Sequence, residues 1–142
     1  MAIELTDTQA DRAALEVAGQ SFELTKAVTF ESAHFMPDHP EGHPYRNLHG
    51  HSFRLEVTIA GQVQPGAEWV EDFSYVTDVL QRVAGELDHR LLNDIEGLAK
   101  PTLERLCVWI ANRLKPQLPG LKQIVVARPS LDERCALVIN QS

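Results

Sequence analysis

The sequence predicts an α+β domain in which two helices cover one face of a four-stranded antiparallel sheet. Segments with alternating apolar residues come first and last in the chain, and two segments of helical periodicity lie between them, so that the predicted order is β-β-α-α-β-β. Strands separated from helices in this way are typical of α+β domains. The length of 142 residues and the hydrophobic fraction of 44% are sufficient for one domain with a buried core.

The first element is an N-terminal appendage, residues 1–21, which precedes a single domain at residues 22–141. Thr6 or Asp7 can cap a short helix that continues through Val17. The segment is acidic and lacks the basic and then apolar order of a secretory signal.

Two strands are predicted next, and a loop separates them. Residues 22–33 carry β-branched and aromatic residues in rough alternation, and residues 52–61 alternate cleanly. The apolar face of the second strand consists of Phe53, Leu55, Val57 and Ile59. Between the strands, "HFMPDHPEGHPYRN" contains three prolines and a glycine. Loops of this length in a compact domain are usually functional or disordered.

Two helices follow. Asp72 can cap the first, at residues 73–87, whose apolar residues recur at helical spacing. They are Phe73, Val76, Val79, Leu80 and Val83. Thr102 begins the second helix, and Pro116 lies beyond its end. Its apolar face consists of Leu103, Leu106, Cys107, Ile110 and Leu114.

The chain closes with two strands, residues 123–127 and 135–140, which "RPSLDER" joins as a hairpin. Cys107 and Cys135 both lie among apolar residues, and we interpret them as packing residues. Two cysteines do not make a disulfide framework, so a cytoplasmic protein is expected.

The charge and the hydropathy pattern exclude several kinds of partner. A formal net charge of −7 argues against nucleic acid, because binding to a phosphate backbone requires a basic face. Apolar runs are too short to span a membrane. The glycines form neither a P-loop nor a dinucleotide-binding fingerprint.

The histidines are the chemically informative residues, because five of the six lie between His34 and His51. His49 and His51 are two apart at the start of a strand, so their side chains share a face. Hairpin pairing brings the end of the first strand, and with it His34, beside them. Three imidazoles with an open fourth position are typical of a catalytic Zn²⁺ site.

Other interpretations of these histidines stay open from the residues alone. An HxH pair in a strand can be partly exposed and ligate nothing, and imidazole also suits Fe, Ni or Cu. His39 and His43 are either solvated loop residues or transient ligands and proton carriers. His89, after Asp88, is either a histidine favoured by a helix C-terminus or a proton shuttle that Asp88 orients.

Five segments together resemble one family. They are "FESAH", "EGHPYRNLHGHSFRLEV", "WVEDF", "LDHRLLND" and "PTLERLCVWI". The chain is similar from residue 22 to residue 139 to 6-pyruvoyl-tetrahydropterin synthase and 6-carboxy-tetrahydropterin synthase, and the latter acts in queuosine precursor biosynthesis. The motifs "EGH", "LHGHSF" and "LDHRLLND" favour the bacterial carboxy-tetrahydropterin branch.

This resemblance implies the tunnelling fold, assembled as a homo-oligomer (a trimer, or a hexamer of two trimers), with a pocket between subunits. It implies Zn²⁺ held by His34, His49 and His51, and a pterin substrate, dihydroneopterin triphosphate or a relative. It also implies that Asp88 and His89 move protons together with a cysteine thiolate.

The sequence departs from the family at two places. Tyr45 occupies the position of the family's cysteine, and Arg46 the position of a glutamate that a variant branch uses. Tyr45, activated by the metal or by His89, is therefore our candidate acid or base. Glu41, His43 and a zinc-bound hydroxide are the other candidates.

The second departure concerns a glutamate that grips the pterin edge in the family. Here that position is Arg128 or Pro129, depending on the strand from which it is aligned. Arginine has no acceptor for the pterin N–H groups. Asp132 or Glu133 can substitute only if the loop folds back.

These observations leave three readings. The first, which we favour, is a zinc-dependent carbon–oxygen or carbon–carbon lyase of the pterin synthase family with altered catalytic residues. The second is a paralogue that acts on a different, anionic substrate. The observation behind it is Arg128, a cationic residue at the position of the family's pterin-binding glutamate. The third is a non-catalytic tunnelling-fold protein that binds a metal.

Overall fold

The two long strands predicted in the first half of the chain pair along their whole length in a computed structural model, which describes residues 14–139. β1 (Ser21–His34) and β2 (His49–Gln62) are antiparallel, and His34 lies opposite His49. Alternate residues of β2 from Phe53 to Ile59 are at most 3% exposed. The predicted apolar face of β2 is therefore confirmed.

Both predicted helices form, and each begins at the predicted cap. In α1 (Phe73–Leu87) the Asp72 carboxylate accepts a hydrogen bond from the Ser74 amide. In α2 (Leu103–Leu114) the Thr102 hydroxyl accepts one from the Arg105 amide. Phe73, which the periodicity placed on the apolar face, is 47% exposed because the first residue of α1 lies at the edge of the core.

The sheet has five strands, so the prediction of four was wrong. β3 (Arg90–Leu91) pairs in parallel with Ser32 and Ala33 of β1, at the outer edge of the sheet. A strand of two residues is too short to show any alternation in the sequence, and for this reason it was predicted as a connection.

β4 (Leu121–Arg128) and β5 (Glu133–Val138) form the predicted closing hairpin, and a 3₁₀ turn, Pro129–Leu131, joins them. The strand order across the sheet is β3-β1-β2-β4-β5. The buried faces of α1 and α2 join the buried face of the sheet in one apolar cluster, which confirms the α+β class. Cys107 and Cys135 both belong to this packing, as predicted.

Most of the helix predicted for the appendage lies outside the described residues. Its described end, residues 14–17, is not helical. Gly19 donates its amide proton to the Val63 carbonyl, and the Val63 amide donates to Gln20, so that the chain joins the sheet just before β1. Within residues 14–139, none of the helices combines the length and the apolar character that crossing a bilayer requires.

Candidate metal centre and flanking cavities

The antiparallel register brings His34, His49 and His51 together. His34 and His49 are direct cross-strand partners, and His51 follows two residues later on the same face of β2. The ring centroids are 4.6 Å apart for His34 and His49, 4.9 Å for His34 and His51, and 4.8 Å for His49 and His51. The three rings therefore form a nearly equilateral triangle.

The ring nitrogens of this triad converge on a common point. The Nε2 atoms of His34 and His49 are 3.0 Å apart, and one nitrogen from each of the three rings lies within 4.8 Å of the others. Tetrahedral zinc with Zn–N bonds of about 2.0–2.1 Å needs ligand nitrogens about 3.3 Å apart. Small ring rotations would bring all three nitrogens to that spacing, so the triad fits Zn²⁺.

The hydrogen bonds of the triad favour a metal ligand over a closed polar network. His49 Nδ1 lies 2.7 Å from the Asn47 carbonyl oxygen, which can only accept, so Nδ1 carries the proton and Nε2 presents its lone pair to the triad. His34 Nδ1 and His51 Nε2 are buried and lack hydrogen-bond partners of good geometry. A metal ion at the centre would satisfy the Nε2 atom of His51.

The electrostatics favour the neutral form of His34 and His51, and a metal ligand must be neutral. Burial, followed by the neighbouring His49 and His51, lowers the pKa of His34 to about 4, although a backbone hydrogen bond with Pro101 acts in the opposite direction. Burial also lowers the pKa of His51, and the positive charge of Arg128 acts in the same direction.

Packing and one amide side chain hold the triad in place. Phe53 lies edge-on to His34 and His51, with ring centroids 6.1 Å and 5.6 Å away, and its other neighbour is Phe30, stacked at 5.0 Å. At the residue after His34, the Asn93 side chain accepts a hydrogen bond from the Phe35 backbone N–H at 3.0 Å and donates one to the Phe35 carbonyl at 2.8 Å. Asn93 is a residue that the sequence did not single out.

Tyr45 lies beside the triad on a 3₁₀ turn, Pro44–Arg46, of the loop between β1 and β2. Its ring centroid is 6.0 Å from that of His49, and its side chain is 48% exposed. The ring centroids of His39 and His43 are 4.3 Å apart in an edge-to-face arrangement, and they lie 5.4 Å and 5.1 Å from the Tyr45 centroid. Both histidines are half-buried neighbours of Tyr45.

Asp88 and His89 form a hydrogen-bonded pair at the end of α1. Asp88 accepts a hydrogen bond from the Glu31 amide at 2.8 Å, and its other oxygen lies 2.8 Å from His89 Nδ1. The bond from Glu31, and then His89, lower the pKa of Asp88, and the bond to Asp88 raises the pKa of His89. Because Nδ1 is occupied, the free nitrogen of His89 is Nε2.

Backbone strain marks the same position. His89 has a φ of +57°, in the left-handed region that non-glycine residues rarely adopt. Such strained residues cluster at functional sites.

Two cavities flank the triad, and His51 lines both. The smaller, about 210 Å³, is also lined by Tyr45, His49, Arg128 and Glu104. The larger, about 600 Å³ and open to solvent, contains His89 and Ser52. Tyr45 and His89 therefore approach the triad from different cavities of one chain.

The structure places Arg128 and Glu133 side by side at the base of the β4–β5 hairpin. Arg128 Nε lies 3.2 Å from a Glu133 carboxylate oxygen, although the angle is poor for a hydrogen bond. Glu133, which we considered as a substitute pterin anchor, is thus engaged by Arg128. Asp132 lies in the turn itself, exposed and with a φ of +54°.

Sequence reasoning missed Glu104, a carboxylate in the cavity of Tyr45 and Arg128. The sequence offered one signal, since Glu104 lies two residues after the predicted cap Thr102, which lines the same cavity. Neither cysteine lines either of these two cavities. Cys107 is buried, and burial, with Cys135 beside it, raises its pKa to about 12.

Comparison with known proteins finds relatives along most of the chain. The family model of 6-pyruvoyl tetrahydropterin synthase matches residues 23–138. The dihydroneopterin monophosphate aldolase of Pyrococcus furiosus is 42% identical over 76 residues, which cover 54% of this chain and 63% of that protein. The 6-carboxy-5,6,7,8-tetrahydropterin synthase of Synechocystis is 42% identical over 109 residues, which cover 72% of this chain and 83% of that protein.

Solved structures show the same fold. The 6-pyruvoyl tetrahydropterin synthase of Caenorhabditis elegans superimposes with a TM-score of 0.75 at 19% identity, over 88% of this chain and all (100%) of that chain. The Plasmodium vivax enzyme gives a TM-score of 0.67 at 18% identity, over 86% of this chain and 99% of that one. The chain therefore belongs to the 6-pyruvoyl tetrahydropterin synthase family and has its tunnelling fold.

Proposed function

We propose that this protein is a zinc-dependent lyase that cleaves the side chain of dihydroneopterin triphosphate or a related dihydropterin. The observation that carries the proposal is the triangle of His34, His49 and His51, whose nitrogens converge beside two cavities. When bound, zinc would polarise the side-chain oxygens of the substrate and favour the loss of a proton from them.

The residues beside the triad suit carbon–carbon bond cleavage without a thiolate. A base removes the proton of the C2′ hydroxyl, the C1′–C2′ bond breaks, and its electron pair enters the conjugated pterin ring before C1′ receives a proton. His89, oriented by Asp88 through Nδ1, presents Nε2 as the base. Tyr45 lies on the other side of His51 and can donate the proton to C1′.

Two relatives make this reaction class plausible for the chain. One is named for aldol cleavage of dihydroneopterin monophosphate, and another for the synthesis of 6-carboxy-tetrahydropterin. Among the described residues no thiol lines the two cavities beside the triad, because Cys107 lies in the core and Cys135 packs against it. This arrangement favours a cleavage in which a phenol and an imidazole transfer the protons.

A product assay tests the proposal. Zinc-loaded protein is incubated with dihydroneopterin, its monophosphate and its triphosphate, and the pterin products are identified by mass spectrometry. We expect 6-hydroxymethyl-dihydropterin and a two-carbon aldehyde or its phosphate, whereas a 6-carboxy product would assign the chain to the synthase reaction. Stoichiometric zinc without turnover of any pterin would contradict the proposal and favour a non-catalytic metal-binding protein.

We also propose that the chain assembles into a ring. β3 covers only Ser32 and Ala33 of β1, so that within residues 14–139 most of the outer edge of β1 has no strand beside it, and β5 forms the opposite edge. Open sheet edges favour pairing with another chain. Light scattering at micromolar concentration should give the mass of a trimer or hexamer, and a monomeric mass would contradict the assembly.

A further inference from the structure

Arg128 faces the smaller cavity from the end of β4. It lines that cavity together with Tyr45, His49 and His51, and its side chain is only 19% exposed. Its Nε atom is buried without a well-aligned partner, whereas its terminal nitrogens reach the solvent of the cavity. The groups that surround the guanidinium therefore indicate what the cavity binds.

Glu133 engages only one side of the guanidinium. The close atom is Nε, which lies 3.2 Å from a Glu133 carboxylate oxygen, so the Nε edge of the guanidinium faces the protein. Among residues 14–139 the structure gives the two terminal nitrogens no hydrogen-bond acceptor. Four N–H donors in one plane are thus free to serve a ligand.

The planar guanidinium, with several N–H donors side by side, matches an anion that has two or more oxygens. Arginine binds phosphate and carboxylate groups through paired, charge-assisted hydrogen bonds, and lysine cannot reproduce that geometry. Arg128 shares this cavity with His49 and His51, so an anion at its terminal nitrogens would lie beside the triad. Glu104, the carboxylate in the same cavity, lies in the first turn of α2, where the helix dipole offsets its charge.

We propose that Arg128 is a specificity-determining residue that binds the phosphate group of a phosphorylated pterin substrate, and that Glu133 positions it. The inference rests on the proposed function for the identity of the substrate. Apolar side chains of Met36, Leu103 and Leu131 line the rest of the cavity and offer surfaces for a flat ring. The phosphate at Arg128 and the metal triad would then fix the two ends of the substrate side chain.

The test measures anion binding without turnover. Zinc-loaded wild-type protein and Arg128→Met are titrated with inorganic phosphate and tripolyphosphate in a calorimeter. Losing a charged, bidentate contact should weaken tripolyphosphate binding about tenfold or more. Any anion held by zinc itself is common to both proteins, so their difference isolates Arg128.

Two further variants make the result specific. Arg134→Met removes an exposed arginine of β5 and should bind tripolyphosphate like the wild type. Arg128→Lys keeps the charge without the fork and should fall between wild type and Arg128→Met; it also carries the test if Arg128→Met does not fold. Wild-type affinity in both Arg128 variants would overturn the proposal.

Substrate kinetics separate phosphate recognition from ring recognition. Arg128→Met should raise KM for dihydroneopterin monophosphate and leave KM for dihydroneopterin unchanged. An equal rise for both substrates would mean that Arg128 contacts the pterin ring, and the proposal would be wrong. If the protein turns over no pterin, the proposed function fails, but calorimetry still decides whether Arg128 binds the anion.

Discussion

His34 Nε2 lies 3.0 Å from His49 Nε2, across the register pair that closes the β1–β2 ladder. His49 donates through Nδ1 to the Asn47 carbonyl, so its Nε2 atom presents a lone pair to His34. When His34 carries its proton on Nδ1, two lone pairs face each other and a metal ion fits between them.

The first prediction concerns metal content. Wild-type protein should carry about one zinc per chain, and His49→Ala should lose most of it, because two imidazoles remain for a site that needs three. Elemental analysis after gel filtration measures the ratio. His43→Ala is the matched control, since His43 lies in the loop with its ring edge-on to Tyr45, outside the triad. Equal metal in both variants would exclude the triad as the site.

The second prediction concerns the effect of chelation on stability. An ion that binds only the folded chain stabilises it by about 2.7 kcal/mol at one hundred times its dissociation constant. Excess chelator should therefore lower the melting temperature of the wild type measured by scanning calorimetry. His49→Ala should not respond to chelator, and a comparable shift in that variant would point to a metal bound elsewhere.

The third prediction concerns the Asp88–His89 pair. The bond to Asp88 raises the pKa of His89, so the value from NMR titration should lie above 6.5 and should fall in Asp88→Asn. The other five histidines serve as internal references, and their resonances should change little. An unchanged His89 titration in Asp88→Asn would show that the pair does not form in solution.

The same pair makes a signed contribution to folding across pH. The raised pKa of His89 means that its stabilisation is present below pH 6.5 and is lost as pH rises through the folded value. The lowered pKa of Asp88 means that its stabilisation is present above pH 3.8 and is lost as pH falls through the folded value. The free energy of unfolding, measured with urea, should therefore differ most between wild type and Asp88→Asn at pH values between 3.8 and 6.5.

The fourth prediction concerns Tyr45 as a proton donor. Tyr45→Phe keeps the aromatic ring, whose centroid lies 6.0 Å from that of His49, and removes only the hydroxyl. If the phenol transfers a proton, kcat should fall about 100-fold or more while zinc content stays at the wild-type level. An unchanged kcat would remove Tyr45 from the mechanism and leave Glu41 or His43 as the candidates in the loop.

The fifth prediction links the core to the metal centre through Phe53. This residue is 1% exposed and packs under His34 and His51, so Phe53→Ala should lower the free energy of unfolding by about 3–5 kcal/mol and weaken zinc binding. Phe22→Ala, at a residue of β1 that is 41% exposed, should cost much less. Denaturant unfolding of both variants measures the difference, and similar costs would contradict the packing.

The local patterns of the sequence were enough for most of the fold. The caps at Asp72 and Thr102 and the apolar repeats that follow them predicted both helices within a residue of their observed starts. The alternation from Phe53 to Ile59 predicted which face of β2 is buried. These features succeeded because capping and side-chain periodicity act over a few residues and do not depend on the rest of the chain.

Features that depend on residues distant in the chain could not be predicted from the sequence. β3 exists only because Arg90 and Leu91 meet Ser32 and Ala33 in space, and two residues carry no periodicity of their own. The ring contacts of His39 and His43 with Tyr45 likewise depend on the path of a loop.

The sequence by itself determined the three imidazoles, since the HxH spacing and the predicted hairpin already placed His34, His49 and His51 on one face. Only the tertiary structure decided what surrounds them. It set Arg128 beside Glu133 and put Tyr45 and His89 in separate cavities, because packing between remote segments fixes such neighbours. Spacing along a strand is a local property, whereas the shape and charge of a cavity belong to the folded chain.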